Sequence, residues 1–305
     1  MSAVIRVKEL SKWFGEVVAL NNLSVVIEEG VTGLLGPNGA GKSTFIKIAL
    51  GLYRPSRGEI EVFGEAPRNN RRVLRRIGYC PETDKFYENM SGFEFVYWMN
   101  RFWGMTVRAA RKVANDALEQ VHMTGRMHDP IREYSKGMRQ RIKIAQALAT
   151  NPGFLLLDEP MSGLDPEGRE EMFQLIRRLG DEGRSVVVSS HVLHEIERAT
   201  DNVVLLYHGA LIAQGHVREI RDLIDEHPHT ITVECGDPRR VSAHFVTEPS
   251  TIGIQFEDGR ATLRTRDPNH CYEKLNELML DETLGIRSIA CADDNLQSVF
   301  DYLIH

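Results

Sequence analysis

Cysteine is scarce: four residues in 305, Cys80, Cys235, Cys271 and Cys291, none in a C-x-x-C pair. Scattered thiols of this kind exclude a disulfide framework and a cysteine zinc site, and are expected to be reduced. The eleven histidines never fall in an H-x-x-x-H or H-E-x-x-H spacing, so no metal–histidine site is read from them. No stretch approaches the roughly 18–20 apolar residues of a membrane-spanning helix, and the start, MSAVIRVKEL, lacks the apolar core of a secretion signal. Excess positive charge is missing too. The 37 Lys+Arg against 43 Asp+Glu leave a net charge of −6, which argues against a dedicated nucleic-acid binder. The arginines at 68, 71, 72, 75 and 76 are too local to change that and read as a solvated helix face. What remains is ordinary globular composition, 42% hydrophobic and 26% charged, with chain enough for two domains or one large domain and an appendage. The expectation is a cytosolic chain without a specific nucleic-acid partner.

Along the chain, Val4–Leu10, Val17–Leu20, Leu23–Ile27 and Val31–Leu35 read as short strands. A glycine-rich loop follows, then a helix reaching about Leu50. Ile60–Phe63 and Ile77–Cys80 are strand candidates, and Ser91–Leu148 reads as helical throughout. Strands and helices then alternate: Phe154–Leu157, a helix from Pro166 to about Leu179, Ser185–Ser189, a helix over Leu193–Ala199, Val203–Tyr207 and Leu211–Gln214. Such alternation implies an α/β fold with a mostly parallel sheet. The character changes around residues 225–230. Thr230–Glu234, Ile252–Phe256, Ala261–Thr265 and Ile286–Cys291 read as strands, Asn269–Leu280 and Asn295–Ile304 as helices: a small α+β domain. The expected division is 1–225 and 226–305.

Gly36-Pro37-Asn38-Gly39-Ala40-Gly41-Lys42-Ser43, followed by Thr44, fits G-x-x-x-x-G-K-[ST] between a strand and a helix, the context that makes the pattern credible. Gly36, Gly39 and Gly41 let the backbone curl around phosphate oxygens, while the new helix offers unpaired N–H groups and the positive end of its dipole. Lys42 would neutralise β/γ-phosphates and the Ser43 hydroxyl would ligate Mg²⁺. The apolar strand Phe154–Leu157 ends in Asp158-Glu159. A parallel strand delivers Asp158 near the phosphate loop, to hold Mg²⁺, and sets Glu159 to orient or deprotonate an attacking water. A third strand ends in Ser190-His191, where the histidine either contacts a γ-phosphate or merely precedes a helix.

With those residues in place, the chain resembles the nucleotide-binding subunit of ABC transporters over about residues 4–225. Tyr134-Ser135-Lys136-Gly137-Met138 is similar to that family's signature, ahead of the Asp158 strand as in the family. The resemblance implies a P-loop NTPase fold with an antiparallel β subdomain and a helical subdomain at about 86–150. It also implies ATP and Mg²⁺ as ligands, with ATP sandwiched between two protomers. Ser135 and Gly137 would cap the nucleotide of the opposite subunit. Phe14 matches the aromatic that stacks on adenine, with Trp13 a weaker candidate. Asp165, in Ser162-Gly163-Leu164-Asp165, matches the loop that couples the two sites of the dimer, and His191 the switch histidine. The family's loop glutamine falls at Glu82, a further candidate for Mg²⁺ that adds a charge. Tyr134, Lys136 and Met138 depart from the signature, in a form that looks like the ATPases of ABC-2 type exporters.

The resemblance further implies a separate membrane permease, docked near Phe86, Tyr87 and Met90, and a homodimer or heterodimer of ATP-binding subunits peripheral to the cytoplasmic face. The resulting reading is an ATPase that energises transport, in the export direction. Two others stay open: a non-transport ATPase of the same superfamily, regulatory or translation-associated, and a P-loop kinase acting on a small acceptor. The terminal domain is assigned no chemistry.

Overall fold

Three strands open the chain: β1 (Ala3–Phe14), β2 (Val17–Glu28) and, after the phosphate loop, β4 (Arg57–Val62) pair antiparallel in the order β2-β1-β4. The computed structural model describes residues 3–216 and 229–291; the expected boundary at 225/226 and the expected helix Asn295–Ile304 lie outside the described residues. The sequence predicts two strands where β2 is one. Asn22 takes a left-handed conformation (φ 49°) and its N–H donates to Ser11 Oγ at 3.0 Å. This carries the pairing through an interruption in the apolar alternation.

The second sheet holds β5 (Ile77–Cys80), β6 (Phe154–Leu157), β7 (Ser185–Ser190), β3 (Val31–Leu35), β8 (Asn202–Tyr207) and β9 (Ala210–His216), in that spatial order. It is parallel from β5 to β8, and β9 joins antiparallel at the edge. Every residue of β6 and β7 is buried, because a parallel sheet covered on both faces requires continuous apolar strands rather than alternation. The carboxyl ends of β3, β7 and β6 therefore lie side by side, the edge at which ligands bind in open α/β sheets.

Helix α1 (Lys42–Ala49) follows β3, and a single turn, α2 (Arg71–Leu74), precedes β5. The continuous helical stretch expected from Ser91 to Leu148 is instead three helices, α3 (Gly92–Phe102), α4 (Val107–Gln120) and α5 (Lys136–Leu148). Gly104 (φ 91°) and His122 (φ 56°) turn the chain out of helical geometry, and the Thr106 and Ser135 side chains cap the next starts. α6 (Pro166–Asp181) and α7 (Leu193–Ala199) complete this unit.

The chain divides into two compact units, Met1–His216 and Val217–His305. In the second, β10 (His229–Glu234), α8 (Pro238–Ala243), β11 (Thr251–Glu257), β12 (Arg260–Thr265), α9 (Pro268–Leu278) and β13 (Ser288–Cys291) follow one another. The strands form an antiparallel sheet in the order β11-β12-β10-β13, the β-α-β-β-α-β topology of the split βαβ motif. Ile231, Val233, Phe245, Leu263 and Leu275 form its core. The apolar pattern predicts no element over Pro238–Ala243, where α8 forms. Asp237-Pro238 opens it as Asp267-Pro268 opens α9, each aspartate accepting a backbone N–H three residues on, a start signal present in the sequence.

Candidate functional site

Gly41 (φ 100°) turns the phosphate loop into α1, and a Cβ there would stand 2.5 Å from the Ala19 carbonyl oxygen. A Cβ at Gly36 would stand 2.4 Å from the Leu206 carbonyl oxygen. Only glycine fits either place, so the loop is held against the two sheets by backbone approach. The Gly36 N–H donates to Ser190 O at 3.3 Å and the Ala40 N–H to Pro37 O at 3.1 Å, while Asn38 and Gly39 are exposed. Thr44 follows on the first turn of α1.

Lys42 extends back into this loop. Its ammonium donates to Gly36 O at 2.5 Å and to Pro37 O at 3.2 Å and stands 3.2 Å from Glu159 Oε1, both side chains buried. That ion pair lacks hydrogen-bond geometry, and Oε1 is left buried without a hydrogen bond. A buried carboxylate oxygen without a hydrogen bond is costly, and a donor entering the site, such as water, would satisfy it. Glu159 holds a left-handed conformation (φ 49°), a strain of about 1–3 kcal/mol that surrounding contacts must enforce. Its N–H donates to Ser189 Oγ at 2.8 Å, and Oε2 stands 3.0 Å from His191 Nδ1.

Asp158 lies beside this pair. Its Oδ1 accepts from Ser189 Oγ at 2.8 Å and from Ser43 Oγ at 3.2 Å. Burial pushes its carboxyl above the ordinary range, opposed by those two hydrogen bonds and raised further by the Glu159 charge. A hydroxyl and a carboxylate so close are hard oxygen donors, and fit Mg²⁺, which takes its other ligands from water and phosphate. Ser189, which ties both acidic residues to β7, carries no local signal in the sequence. Its neighbour Ser190 faces the other way and donates to Glu195 Oε2 at 2.6 Å. Cys80, at the end of β5, is fully buried, which pushes its thiol up to about 12 and keeps it protonated and unreactive.

The structure thus brings Lys42, Ser43, Asp158, Glu159 and His191 together in one linked cluster. The Glu82 side chain is exposed and its carbonyl accepts from Lys143 Nζ at 3.0 Å. Phe14 is half-exposed, edge-on to Tyr53 at 5.3 Å with Lys12 Nζ 4.8 Å from its ring centroid, and Trp13 is similarly open. Ser135, Gly137 and Asp165 line a separate groove of about 710 Å³. There Ser135 Oγ caps α5 by accepting from the Met138 N–H at 3.2 Å, and Asp165 caps α6 by accepting from the Gly168 N–H at 3.1 Å.

Two of the residues in Tyr134–Met138 that depart from the family signature have side-chain partners here. Tyr134 is buried, donating to Arg126 O at 2.7 Å and accepting from the Gly92 N–H at 3.2 Å, so it ties the signature to the start of α3. The Lys136 side chain lies across Gly163, where a Cβ would come 1.9 Å from its Nζ. An apolar cavity of about 640 Å³ opens elsewhere in this unit, lined by Leu50, Leu52, Leu74, Tyr79, Trp103 and Met105 among others. Among the described residues no three His, Cys, Asp or Glu side chains form a metal-holding group, and no helix is long and apolar enough to cross a membrane.

A parallel sheet whose strand ends gather a phosphate loop, its lysine and serine and two acidic residues defines a P-loop nucleoside triphosphatase. The ABC transporter family model matches residues 20–162. The chain is 32% identical to the bacitracin transport ATP-binding protein BcrA of Bacillus licheniformis, over all of this chain and 98% of that protein. It is 35% identical to the ABC transporter ATP-binding protein YxlF of Bacillus subtilis, over 99% of this chain and the whole of that one. The Nod factor export ATP-binding protein I of Burkholderia lata is 35% identical over 70% of this chain and 71% of its own length. Among solved structures, an ATP-binding subunit of an ABC transporter superposes with a TM-score of 0.64 at 29% identity, covering 72% of this chain and 93% of that one. A dimeric ATP-binding cassette in a post-hydrolysis state with ADP and Pi gives 0.63 at 25% identity, covering 70% and 99%. The chain belongs to the ABC transporter family of ATP-binding proteins, and it is an ATPase.

Proposed function

We propose that this chain is the motor subunit of an exporter: it pairs head to tail with a second ATP-binding subunit around two Mg·ATP and drives a separate membrane permease from the cytoplasmic face. The first compact unit is the nucleotide-binding domain, and the second is accessory. The observation that carries the reading is the cluster of Lys42, Glu159 and His191 packed against Ser43 and Asp158. Lys42 gives up its loop carbonyls and turns its charge to the β/γ-phosphates. Glu159 takes a proton from the attacking water, and His191 holds its Oε2 in place. Ser43 and Asp158, with Glu82 as a further candidate, would hold Mg²⁺, which would neutralise charge on the phosphate oxygens. Phe14 stacks on adenine, and the partner's nucleotide is capped by Ser135 and Gly137, with Asp165 at the contact between the two sites.

Export is supported by the name of the Nod factor relative and by the Tyr134, Lys136 and Met138 form of the signature. Permease docking is supported by exposed Tyr87, beside Phe86 and Met90, since grouped exposed apolar side chains mark partner surfaces. Glu159→Gln tests the core of the reading. ATP still binds, phosphate release nearly stops, and a stable ATP-dependent dimer accumulates in size-exclusion chromatography. Turnover at the parent rate in that variant overturns the assignment of the base. Charged residues in place of Phe86, Tyr87 and Met90 should abolish co-purification with the permease, and undiminished co-purification would remove that interface.

A further inference from the structure

The segment that leaves β5 changes allegiance at one peptide bond. Cys80 belongs to the sheet: its carbonyl accepts the Asp158 N–H at 2.9 Å. From Pro81 onward the main chain is held by α5 and the turn before it. Lys143, buried on α5, donates to Pro81 O and Glu82 O, each at 3.0 Å, and pairs with Asp84 Oδ1 at 2.7 Å. Two of the ammonium donors are used on carbonyls of this loop, and its charge is met by the Asp84 carboxylate. One turn earlier on the same face of α5, Gln140 Nε2 donates to Cys80 Sγ at 3.4 Å. Beyond the loop, Arg139 forms a two-pronged pair with Glu88 at 2.7 Å on each prong, and the Arg132 and Ile131 N–H groups donate to Glu88 O and Met90 O.

None of the hydrogen bonds or the ion pair of Lys143 goes to Gly36–Thr44, Asp158, Glu159 or His191, so the catalytic cluster does not explain a buried cation there. A buried ammonium is stable only with full partners, and these partners are two carbonyls and a carboxylate of one four-residue loop. We propose that Lys143 is a positioning residue: it fixes the main chain at Glu82 to α5, so that the helix capped by Ser135, rather than the parallel sheet, sets where the Glu82 carboxylate stands relative to Ser43 and Asp158. The inference rests on the roles proposed above for Glu82 and Ser135, and it makes α5 a rigid connection between the surface that meets the partner's nucleotide and the loop that serves the chain's own.

The test uses the full chain with Lys143→Met and Lys143→Arg, and reads amide hydrogen exchange together with the Mg²⁺ dependence of ATP binding. Losing hydrogen bonds from a charged donor should speed exchange at residues 82–85 in Lys143→Met by at least about tenfold, with β6 and α1 unchanged. Half-saturation by Mg²⁺ should rise by about 10–100-fold while ATP affinity without Mg²⁺ stays at the parent value. Lys143→Arg, which keeps the charge and donors, should recover most of both. Exchange at 82–85 that is unaltered, or faster only in step with the whole unit, overturns the proposal; so does faster local exchange with unchanged Mg²⁺ dependence where Glu82→Ala does alter that dependence. Should Lys143→Met fail to fold, Asp84→Ala removes the anionic partner at an exposed position, and unchanged exchange at 82–85 in that variant overturns the proposal equally. Glu82→Ala separates the two levels: if it leaves Mg²⁺ dependence untouched, the metal role of Glu82 fails, and the exchange measurement still judges Lys143.

Discussion

In the sheet of β5 to β9 the charged groups sit desolvated at strand ends, whereas in the sheet of β10 to β13 they stand in water. Lys42, Asp158 and Glu159 are all buried, and burial raises the Asp158 carboxyl. Arg260–Glu234 and Arg240–Asp281 in the second unit are pairs of exposed side chains. The Arg260 guanidinium, helped by the Ser288 hydroxyl, holds the Glu234 carboxyl below its ordinary range. Burial decides which of these charges can do chemistry. A desolvated charge with partners left wanting, such as Glu159 Oε1, keeps an electrostatic demand that a ligand can meet, while a solvated pair has nothing left to offer.

The largest effect that would sharpen this contrast is in the second unit's core. Leu263→Ala, at a fully buried position, should cost that unit about 2–5 kcal/mol, read by denaturant unfolding, with ATP hydrolysis per folded molecule unchanged. A fall in hydrolysis would break the separation between the two units. Next, Lys42→Met should weaken ATP binding by about ten- to a hundredfold, the worth of a charged hydrogen bond being about 1.5–3 kcal/mol. Equilibrium binding checks it, and parent affinity would mean that the buried pair is structural only. Ser135→Ala removes the cap of α5 and should cost about 1 kcal/mol of stability, with a loss of hydrolysis larger than thermal destabilisation explains. The smallest effect belongs to the exposed pair. Arg260→Ala should leave the unfolding midpoint near neutral pH almost unmoved. Because the native Glu234 pKa is lowered, any stabilisation from the pair is present above the usual glutamate value of 4.5 and fades as pH falls below it.

Much of the site was legible because its spacing is local. Gly36 to Ser43 is one loop, and Asp158-Glu159 ends one apolar strand. Ser189 was not legible: in Ser-Val-Val-Val-Ser-Ser nothing local separates it from Ser190, and only the pleat, which sends neighbours to opposite faces, gives one to Asp158 and the other to Glu195. Lys143 was hidden because its partners lie some sixty residues away in the chain. The single helical stretch expected over Ser91–Leu148 broke at Gly104 and His122, where positive φ overrode an apolar pattern that continues on either side. α8 is short, with too few apolar positions to announce a period.

Local spacing is enough to specify the phosphate loop, the strand that presents Asp158 and Glu159, and the signature-like segment before it, because backbone geometry within a few residues dictates what such segments can do. Tertiary structure alone decided that Ser43 meets Asp158 across 115 residues, that Glu159 turns back upon Lys42 and His191, and that the Glu82 loop is fastened to α5. Those contacts depend on the order β5-β6-β7-β3 in the sheet, which no local spacing encodes and which only the burial of whole strands against covering helices selects.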